Sequence, residues 1–305
     1  MEIYHFSGAG NDFVVIDGRE GDVSAFREVP RIEALCKQYK TDGLMILGSG
    51  DARVDFTMEF YNPDGSGGMM CGNGGRCIVA FADYLGIRPG ERFLHPEGVR
   101  NDTNTNLFLF MAPDGLHTGD ILERLADDLW TVRIKMIDVQ GITPMLGGYF
   151  LNTGTRHFVK FVDDVEQVDV DAEGKALRWN EAFAPIGTNV NFVHVAPDGL
   201  HVRTFEKGVE GETLACGTGL TASAIAAYAA AVIPSDPSAI PSDPSVIPSD
   251  PSVIPSDPSV IPSEAKESVR LRARQDWLSV NFTPGADEKF TDVYLTGPAR
   301  LVEIR

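Results

Sequence analysis

Two segments of this chain place a cysteine at the same local junction: Met70-Cys71-Gly72-Asn73-Gly74 and Ala215-Cys216-Gly217-Thr218-Gly219. Each Cys-Gly-x-Gly runs into a stretch of small and apolar residues that reads as a helix. Both thiols therefore stand at helix N-termini, where outward-pointing N–H groups and the positive end of the dipole favour thiolate over thiol. A single activated thiol suggests a nucleophile. Two matched thiols, one per half of the chain, suggest an opposed acid and base acting on one carbon.

The spacing of other signals supports a repeated plan. Tyr4 to Phe6, a Gly8-Ala9-Gly10-Asn11 turn and Phe13 to Ile16 read as strand, tight turn, strand. Pro30 to Tyr39 has helical spacing. Leu44 to Leu47 and Val54 to Tyr61 are strand-like, Asn62-Pro63-Asp64-Gly65 is a turn, and a helix follows over Gly72 to Leu85. Leu107 to Ala112 and Thr131 to Ile137 add strands. In the second half, Phe150 to Asn152, Gly154-Thr155-Arg156-His157 and Phe158 to Val162 echo the opening. Asn191 to Val195 and Leu200 to Phe205 form a hairpin, and Cys216 opens its helix 145 positions after Cys71. Two echoes in the same order predict duplicated lobes facing each other. Val269 to Ala273, Trp277 to Phe282, Val293 to Thr296 and Ala299 to Ile304 complete the strands.

Between the Cys216 helix and those last strands, residues 233–264 carry four copies of Ile-Pro-Ser-Asp-Pro-Ser-Ala/Val and a truncated fifth. Two prolines per unit forbid a continuous helix, so this period of seven is no coiled coil. The segment reads as a tolerated surface insertion in polyproline II and local turns.

At 305 residues the chain is long enough for two domains. Its formal net charge of −18 argues against nucleic-acid and anionic-membrane partners, which need basic patches. Met1 to Phe6 lacks the charged and apolar regions of a signal peptide, and the apolar run from Leu220 to Ile233 is too short to span a bilayer. A cytoplasmic setting is expected, with Cys36, Cys71, Cys77 and Cys216 reduced. Their spacing contains no CxxC pair and does not suggest a zinc site.

Backbone N–H groups of Gly72, Asn73, Gly217 and Thr218 are suited to converge on a carboxylate. Such a grip would place the α-carbon between Cys71 and Cys216. One thiolate removes the α-proton, the opposing thiol delivers another to the other face, and the centre inverts. Donors aimed at the developing enolate charge supply what an organic cofactor would otherwise provide, so neither cofactor nor metal is expected.

Across these residues the chain resembles the diaminopimelate epimerase family, of the proline-racemase-like, cofactor-independent superfamily. The resemblance is carried by Gly8-Ala9-Gly10-Asn11-Asp12-Phe13, Asp42-Gly43, Tyr61-Asn62-Pro63-Asp64-Gly65-Ser66 and Cys71-Gly72-Asn73-Gly74-Gly75-Arg76-Cys77. It continues through Asn152-Thr153-Gly154 with His157, Thr188-Asn189-Val190-Asn191, Phe205-Glu206-Lys207-Gly208, Glu212-Thr213 and Cys216-Gly217-Thr218-Gly219. It implies an α/β chain of the α+β kind: two pseudo-symmetric lobes, each a mainly antiparallel sheet around a central helix, with the site in the cleft between them. The implied boundaries are 1–135, completed by 297–305, and 136–296.

The resemblance also implies that Cys71 and Cys216 are the bases, converting LL- and meso-diaminopimelate in lysine and cell-wall precursor synthesis. Asn11, Asn62 and Asn189 would contact substrate, and His157 and Glu206 would tune the thiols. The amides after each cysteine would hold the carboxylate. The substrate is a small amino acid, and a homodimer is the expected assembly. The chain departs from the family pattern at two places. Thr155-Arg156 stands where Asn-Pro is usual, and Lys207 where Arg is usual. Both belong by resemblance to the end that grips the distal amino-acid group; a guanidinium from Arg156 would compensate there, and the sequence leaves its direction open. These departures keep open a racemase for another amino acid on the same fold. A redox-responsive binding protein with a Cys71–Cys216 disulfide is the alternative from another class. Cys36 and Cys77 are expected to be packing residues.

Overall fold

The computed structural model describes residues 1–68, 70–90, 106–232, 267–274 and 276–305. The insertion at 233–264 lies outside the described residues. In chain order the elements begin β1 (Tyr4–Gly8), β2 (Asn11–Asp17), α1 (Val29–Tyr39), β3 (Gly43–Ser49), β4 (Phe56–Tyr61) and α2 (Gly72–Tyr84). Next come β5 (Leu107–Ala112), β6 (Gly115–Ala126), β7 (Leu129–Lys135), β8 (Ile142–Met145), β9 (Gly148–Asn152) and β10 (Arg156–Phe161). Then follow α3 (Val170–Arg178), β11 (Asn189–Ala196), β12 (Gly199–Glu206), β13 (Gly211–Thr213) and α4 (Gly217–Ala229). The chain ends with β14 (Glu267–Arg272), β15 (Trp277–Pro284) and β16 (Phe290–Ile304). The fold is mixed α+β and dominated by sheet.

The chain divides into two compact units, Met1–Ile134 with Gly297–Arg305, and Lys135–Thr296. In the first, strands run β1-β2-β3-β4-β5-β6-β7 and then the end of β16, which pairs back onto β1, so the sheet closes. The pairs β2–β3 and β4–β5 are parallel and the others antiparallel. A closed sheet leaves no strand edge. Phe13, Val14, Val15 and Ile16 are all buried, the continuous apolar run of a strand covered on both faces. On one face Val14, Ile16, Leu44 and Ile46 pack with Ile32, Leu35 and Cys36 of α1. On the other lies α2, buried at every position from Gly72 to Ala82.

The second unit repeats the succession. The hairpin β9–β10 leads through α3 to β11, parallel to β10, and the hairpin β11–β12 leads to a cysteine and a buried helix. Its strand order is β8-β9-β10-β11-β12-β14-β15 and the start of β16, with β13 on β12. The helix α4 contacts β9 to β12, β14 and β15. It is apolar on every side and so must be buried. Its two hydroxyls cost little there, because Thr221 and Ser223 donate to the carbonyls of Gly217 and Gly219, at 3.0 and 2.8 Å. Among the described residues no helix is long and apolar enough to cross a membrane.

Three differences from the sequence reading have physical causes. The helix α3 was not expected, since only Val170, Gly174 and Arg178 are buried in it; its visible signal is the cap Asp169, which accepts the Ala172 N–H at 3.0 Å. The strand β6 was also missed, being polar over much of its length. Where two strands were expected on either side of Gly297-Pro298, β16 is continuous. Proline removes one ladder donor, and here its carbonyl accepts from Arg76 Nε at 3.3 Å.

The contact of α3 with β12 is close enough to require glycine. A Cβ on Gly174 would overlap the Phe205 side chain. Gly→Ala in a helix ordinarily stabilises by about 0.5–1 kcal/mol. Here Gly174→Ala is expected to destabilise by about 1–3 kcal/mol through overpacking, read as a lower denaturant midpoint at unchanged slope. A raised midpoint would show that Phe205 yields freely.

Candidate functional site

In the first unit Cys71 is the residue preceding α2 and is half-buried, with extended backbone. Its sulfur takes the capping role usually filled by Ser, Thr, Asp or Asn: Gly74 N–H donates to Sγ at 3.2 Å. Gly72 and Asn73 occupy the first helical turn, whose N–H groups point out of the helix end. The Asn73 side chain is drawn into a buried network. Arg76, fully buried, donates from Nη2 to Asn73 Oδ1 at 2.9 Å, from Nη1 to the Gly72 carbonyl at 3.3 Å, and to Pro298 as above. Asn73 Nδ2 in turn donates to Asn11 Oδ1, and Asn11 Nδ2 to Asp42 Oδ2 at 3.1 Å. The same Asp42 oxygen accepts the Asp12 N–H at 2.9 Å. Asn62 sits in its turn, with its N–H on the Ser66 carbonyl at 2.9 Å and Nδ2 on Ser66 Oγ at 3.0 Å.

In the second unit Cys216 holds the matching position before α4, 8% exposed. No backbone N–H caps its side chain; the Thr218 hydroxyl approaches Sγ at 3.4 Å instead. Thr218 Oγ1 also meets His157 Nε2 at 2.9 Å, and the Thr218 carbonyl accepts from Thr153 Oγ1 at 2.8 Å. His157 is fully buried and sits opposite Asn189 in the parallel register of β10 and β11. Burial pulls its pKa down from 6.5 to about 3, so the ring is neutral. Asn189 is a clamp: Nδ2 donates to the Arg156 carbonyl at 2.9 Å, and Oδ1 accepts the Lys207 N–H at 2.8 Å. Glu206 accepts from Thr213 Oγ1 at 3.0 Å.

Each unit thus gathers its own share of the expected residues by hydrogen bonding: Asn11 and Asn73 around the start of α2, and His157 and Thr218 beside Cys216, with Asn189 fixing Lys207. The direction of the Arg156 side chain is set by its place in β10. Strand alternation turns it to the face opposite His157. There its Nη1 donates to the Phe183 carbonyl at 3.3 Å and its guanidinium lies over the Phe150 ring, 5.1 Å from the centroid. Arg76, Asp42, Thr153 and Asn191 are participants whose roles sequence reasoning did not assign. For Arg76 the signal was a cation in the first turns of a helix, against the dipole.

The other two cysteines behave differently. Cys77 is fully buried and Cys36 nearly so, and burial raises both thiols above their ordinary range. In native protein at neutral pH, iodoacetamide is expected to label Cys71 and Cys216 first, and Cys36 and Cys77 only on unfolding. Peptide mass spectrometry reads the order, and early labelling of Cys77 would contradict this account of its burial. His157 makes stability pH-dependent. Its folded pKa lies below its unfolded value, so between about pH 6.5 and 3 the unfolded chain binds a proton that the folded one does not, and stability falls as pH drops. His157→Gln, which keeps a donor and an acceptor but does not titrate, is expected to remove about 3 kcal/mol of that loss by about pH 4. Parallel denaturation curves for both proteins would refute it.

With this geometry in hand, comparison with known proteins is specific. Residues 3–96 and 149–241 match the diaminopimelate epimerase family. A diaminopimelate epimerase of Flavobacterium psychrophilum is 40% identical over 230 residues, covering 74% of this chain and 81% of that protein. Those of Chlorobaculum tepidum and Aquifex aeolicus are 38% and 39% identical, covering 73% and 78% of this chain and 81% and 85% of theirs. Among solved structures, a phenazine biosynthesis protein of the PhzF family from Bacillus anthracis superposes with TM-score 0.66 at 11% identity, covering 100% of this chain and 98% of its own. A hydroxyproline epimerase from Agrobacterium vitis gives 0.58 at 15%, covering 100% and 91%. These two show likeness of fold. The matched segments carry both Cys-Gly-x-Gly junctions, and by them this chain belongs to the diaminopimelate epimerase family.

Proposed function

We propose that this chain interconverts LL- and meso-diaminopimelate by two-base proton transfer at the α-carbon, with Cys71 and Cys216 as the bases. It is an isomerase acting on a small amino acid. The observation that carries the two-base reading is the repeated junction: a cysteine immediately before a buried helix, once in each unit.

The chemistry follows from that junction. An amino acid's α-proton is weakly acidic, and removing it puts charge onto the carboxylate as an enolate. Helix N-termini present N–H groups and a positive dipole end to that charge. In the proposed cycle the amides of Gly72, Asn73, Gly217 and Thr218 hold the carboxylate. One cysteine enters as thiolate and takes the proton; the other enters as thiol and delivers one to the opposite face. The enzyme leaves with the two protonation states exchanged, so the reverse reaction uses the same pair. Asn11, Asn62, Asn189 and Lys207 are proposed to contact the rest of the substrate. His157 and Glu206 are proposed to set the protonation of the thiols. Identities of 38–40% to named diaminopimelate epimerases favour this substrate over another amino acid. A cytoplasmic setting suits the reading, because the bases must stay reduced. Assembly as a homodimer rests on the resemblance alone.

The test is proton exchange in heavy water with LL-diaminopimelate under reducing conditions. Solvent deuterium should appear at the α-carbon of inverted product, and Cys71→Ala and Cys216→Ala should each lower turnover by about 10²–10⁴-fold. Exchange with a different amino acid only would move the substrate; full turnover in either alanine variant would overturn the two-base mechanism.

A further inference from the structure

The two thiols are held by different devices. Cys71 Sγ accepts a backbone N–H, whereas Cys216 Sγ meets a side-chain hydroxyl that ends a chain of four buried or half-buried side chains. That chain has a determinable direction. Asn191 is fully buried on β11. Its Nδ2 lies 3.2 Å from the Phe158 carbonyl, which can only accept, so this atom is the amide nitrogen. The same NH₂ lies 3.0 Å from His157 Nδ1. Asn191 Oδ1 accepts from Thr204 Oγ1 at 3.0 Å, which satisfies the other end of the amide. His157 Nδ1 therefore accepts, and the ring hydrogen of the neutral imidazole is on Nε2. Nε2–H donates to Thr218 Oγ1 at 2.9 Å. Thr218 Oγ1 accepts there and keeps its own hydrogen to donate, and Cys216 Sγ lies within reach of it at 3.4 Å. Gly219 belongs to the same construction: a Cβ there would overlap Asn191 Oδ1.

We propose that Asn191 is a positioning residue for Cys216: through His157 and Thr218 it fixes a hydroxyl proton on the Cys216 sulfur. This rests on the reading of Cys216 as a base and deepens it. A thiolate gains a charge-assisted hydrogen bond from the chain. A thiol finds that side occupied by a donor, so its own proton is directed elsewhere. Both effects serve a group that must alternate between the two forms. By strand alternation, the titratable side chains on the helix side of this sheet are Tyr149, His157, Glu206 and Glu267. Of these His157 reaches Thr218, and Glu206 accepts from Thr213. The relay requires no charge on any of them.

The test reads each thiol separately. Alkylation rates of Cys71 and Cys216 are followed against pH by peptide mass spectrometry in wild type, Asn191→Leu, Thr218→Val and Thr218→Ser. Asn191→Leu and Thr218→Val are expected to raise the Cys216 midpoint by about one pH unit, leaving Cys71 unmoved. Thr218→Ser should keep the wild-type midpoint, because the hydroxyl remains. In the epimerase assay kcat should fall while KM for diaminopimelate is unchanged. ¹⁵N NMR of the His157 ring should show hydrogen on Nε2 in wild type. A hydrogen on Nδ1, or an unmoved Cys216 midpoint in Thr218→Val, overturns the proposal. Should Asn191→Leu fail to fold, the Thr218 pair and the ring tautomer still decide. Alkylation needs no substrate, so a wild type without epimerase activity would sink the functional reading and leave the relay to be judged by itself.

Discussion

Everything in each unit follows from burying one helix whose first turn must still be reachable. The helix α4 is apolar on all sides and has no solvent face, and α2 is buried from Gly72 to Ala82 with its polar Asn73 and Arg76 bonded inside. Enclosure satisfies the apolar surface but leaves the N-terminal N–H groups without intrahelical acceptors. The residue before the helix is therefore where an acceptor is most valuable. Both units place a cysteine there, with extended backbone. A sulfur in that position faces the positive end of the helix dipole, a setting that lowers the pKa of a thiol. The sheet and the helix are thus one arrangement: the wrapping that buries each helix also fixes a cysteine at its N-terminal end.

Enclosure also dictates how the polar side chains are treated. Buried amides and guanidinium groups are costly unless every donor finds an acceptor. In the first unit the fork of Arg76 sets Asn73, which sets Asn11, which leans on Asp42. A planar guanidinium with donors in fixed directions suits this task in a way a lysine would not. In the second unit the ordering runs from Thr204 and Asn191 through His157 to Thr218. The first orders two amides between a guanidinium and a carboxylate, and the second orders an amide, a ring and a hydroxyl; Cys71 Sγ accepts a backbone N–H, and Cys216 Sγ meets the hydroxyl.

Much of this was legible in the sequence, for identifiable reasons. The cysteine-helix junctions are local signals, and apolar spacing showed α1, β11 and β12. Their recurrence in the same order suggested duplication before any contact was known. The helix α3 escaped because it buries few residues along its length, and β6 because polar residues interrupt its alternation. The continuity of β16 through Pro298 comes from its pairing with β7, from Gly297 opposite Val132 to Arg300 opposite Leu129, a partner more than 160 positions away. The role of Asn191 was hidden for the same reason: it is defined by Phe158, His157 and Thr204, which only the sheet register brings together. The direction of Arg156 needed strand phase, which a one-residue uncertainty in the strand start reverses.

The two departures from the family pattern converge on one amide. Thr155 and Arg156 precede His157, and Lys207 follows β12 some fifty positions later, so in sequence they are unrelated. In the structure Asn189 joins them: its Nδ2 donates to the Arg156 carbonyl and lies 3.4 Å from Thr155 Oγ1, while its Oδ1 accepts the Lys207 N–H. Two of these three contacts are to backbone, which no side-chain replacement removes. The clamp therefore holds the strand start at 156 and the turn at 207 in fixed relation whatever side chains they carry. Substitution at these positions changes the chemistry presented there without changing the frame. Asn189, buried and bonded at both ends of its amide, fixes the backbone at 156 and 207, and the side chains carried there decide what chemistry that frame presents.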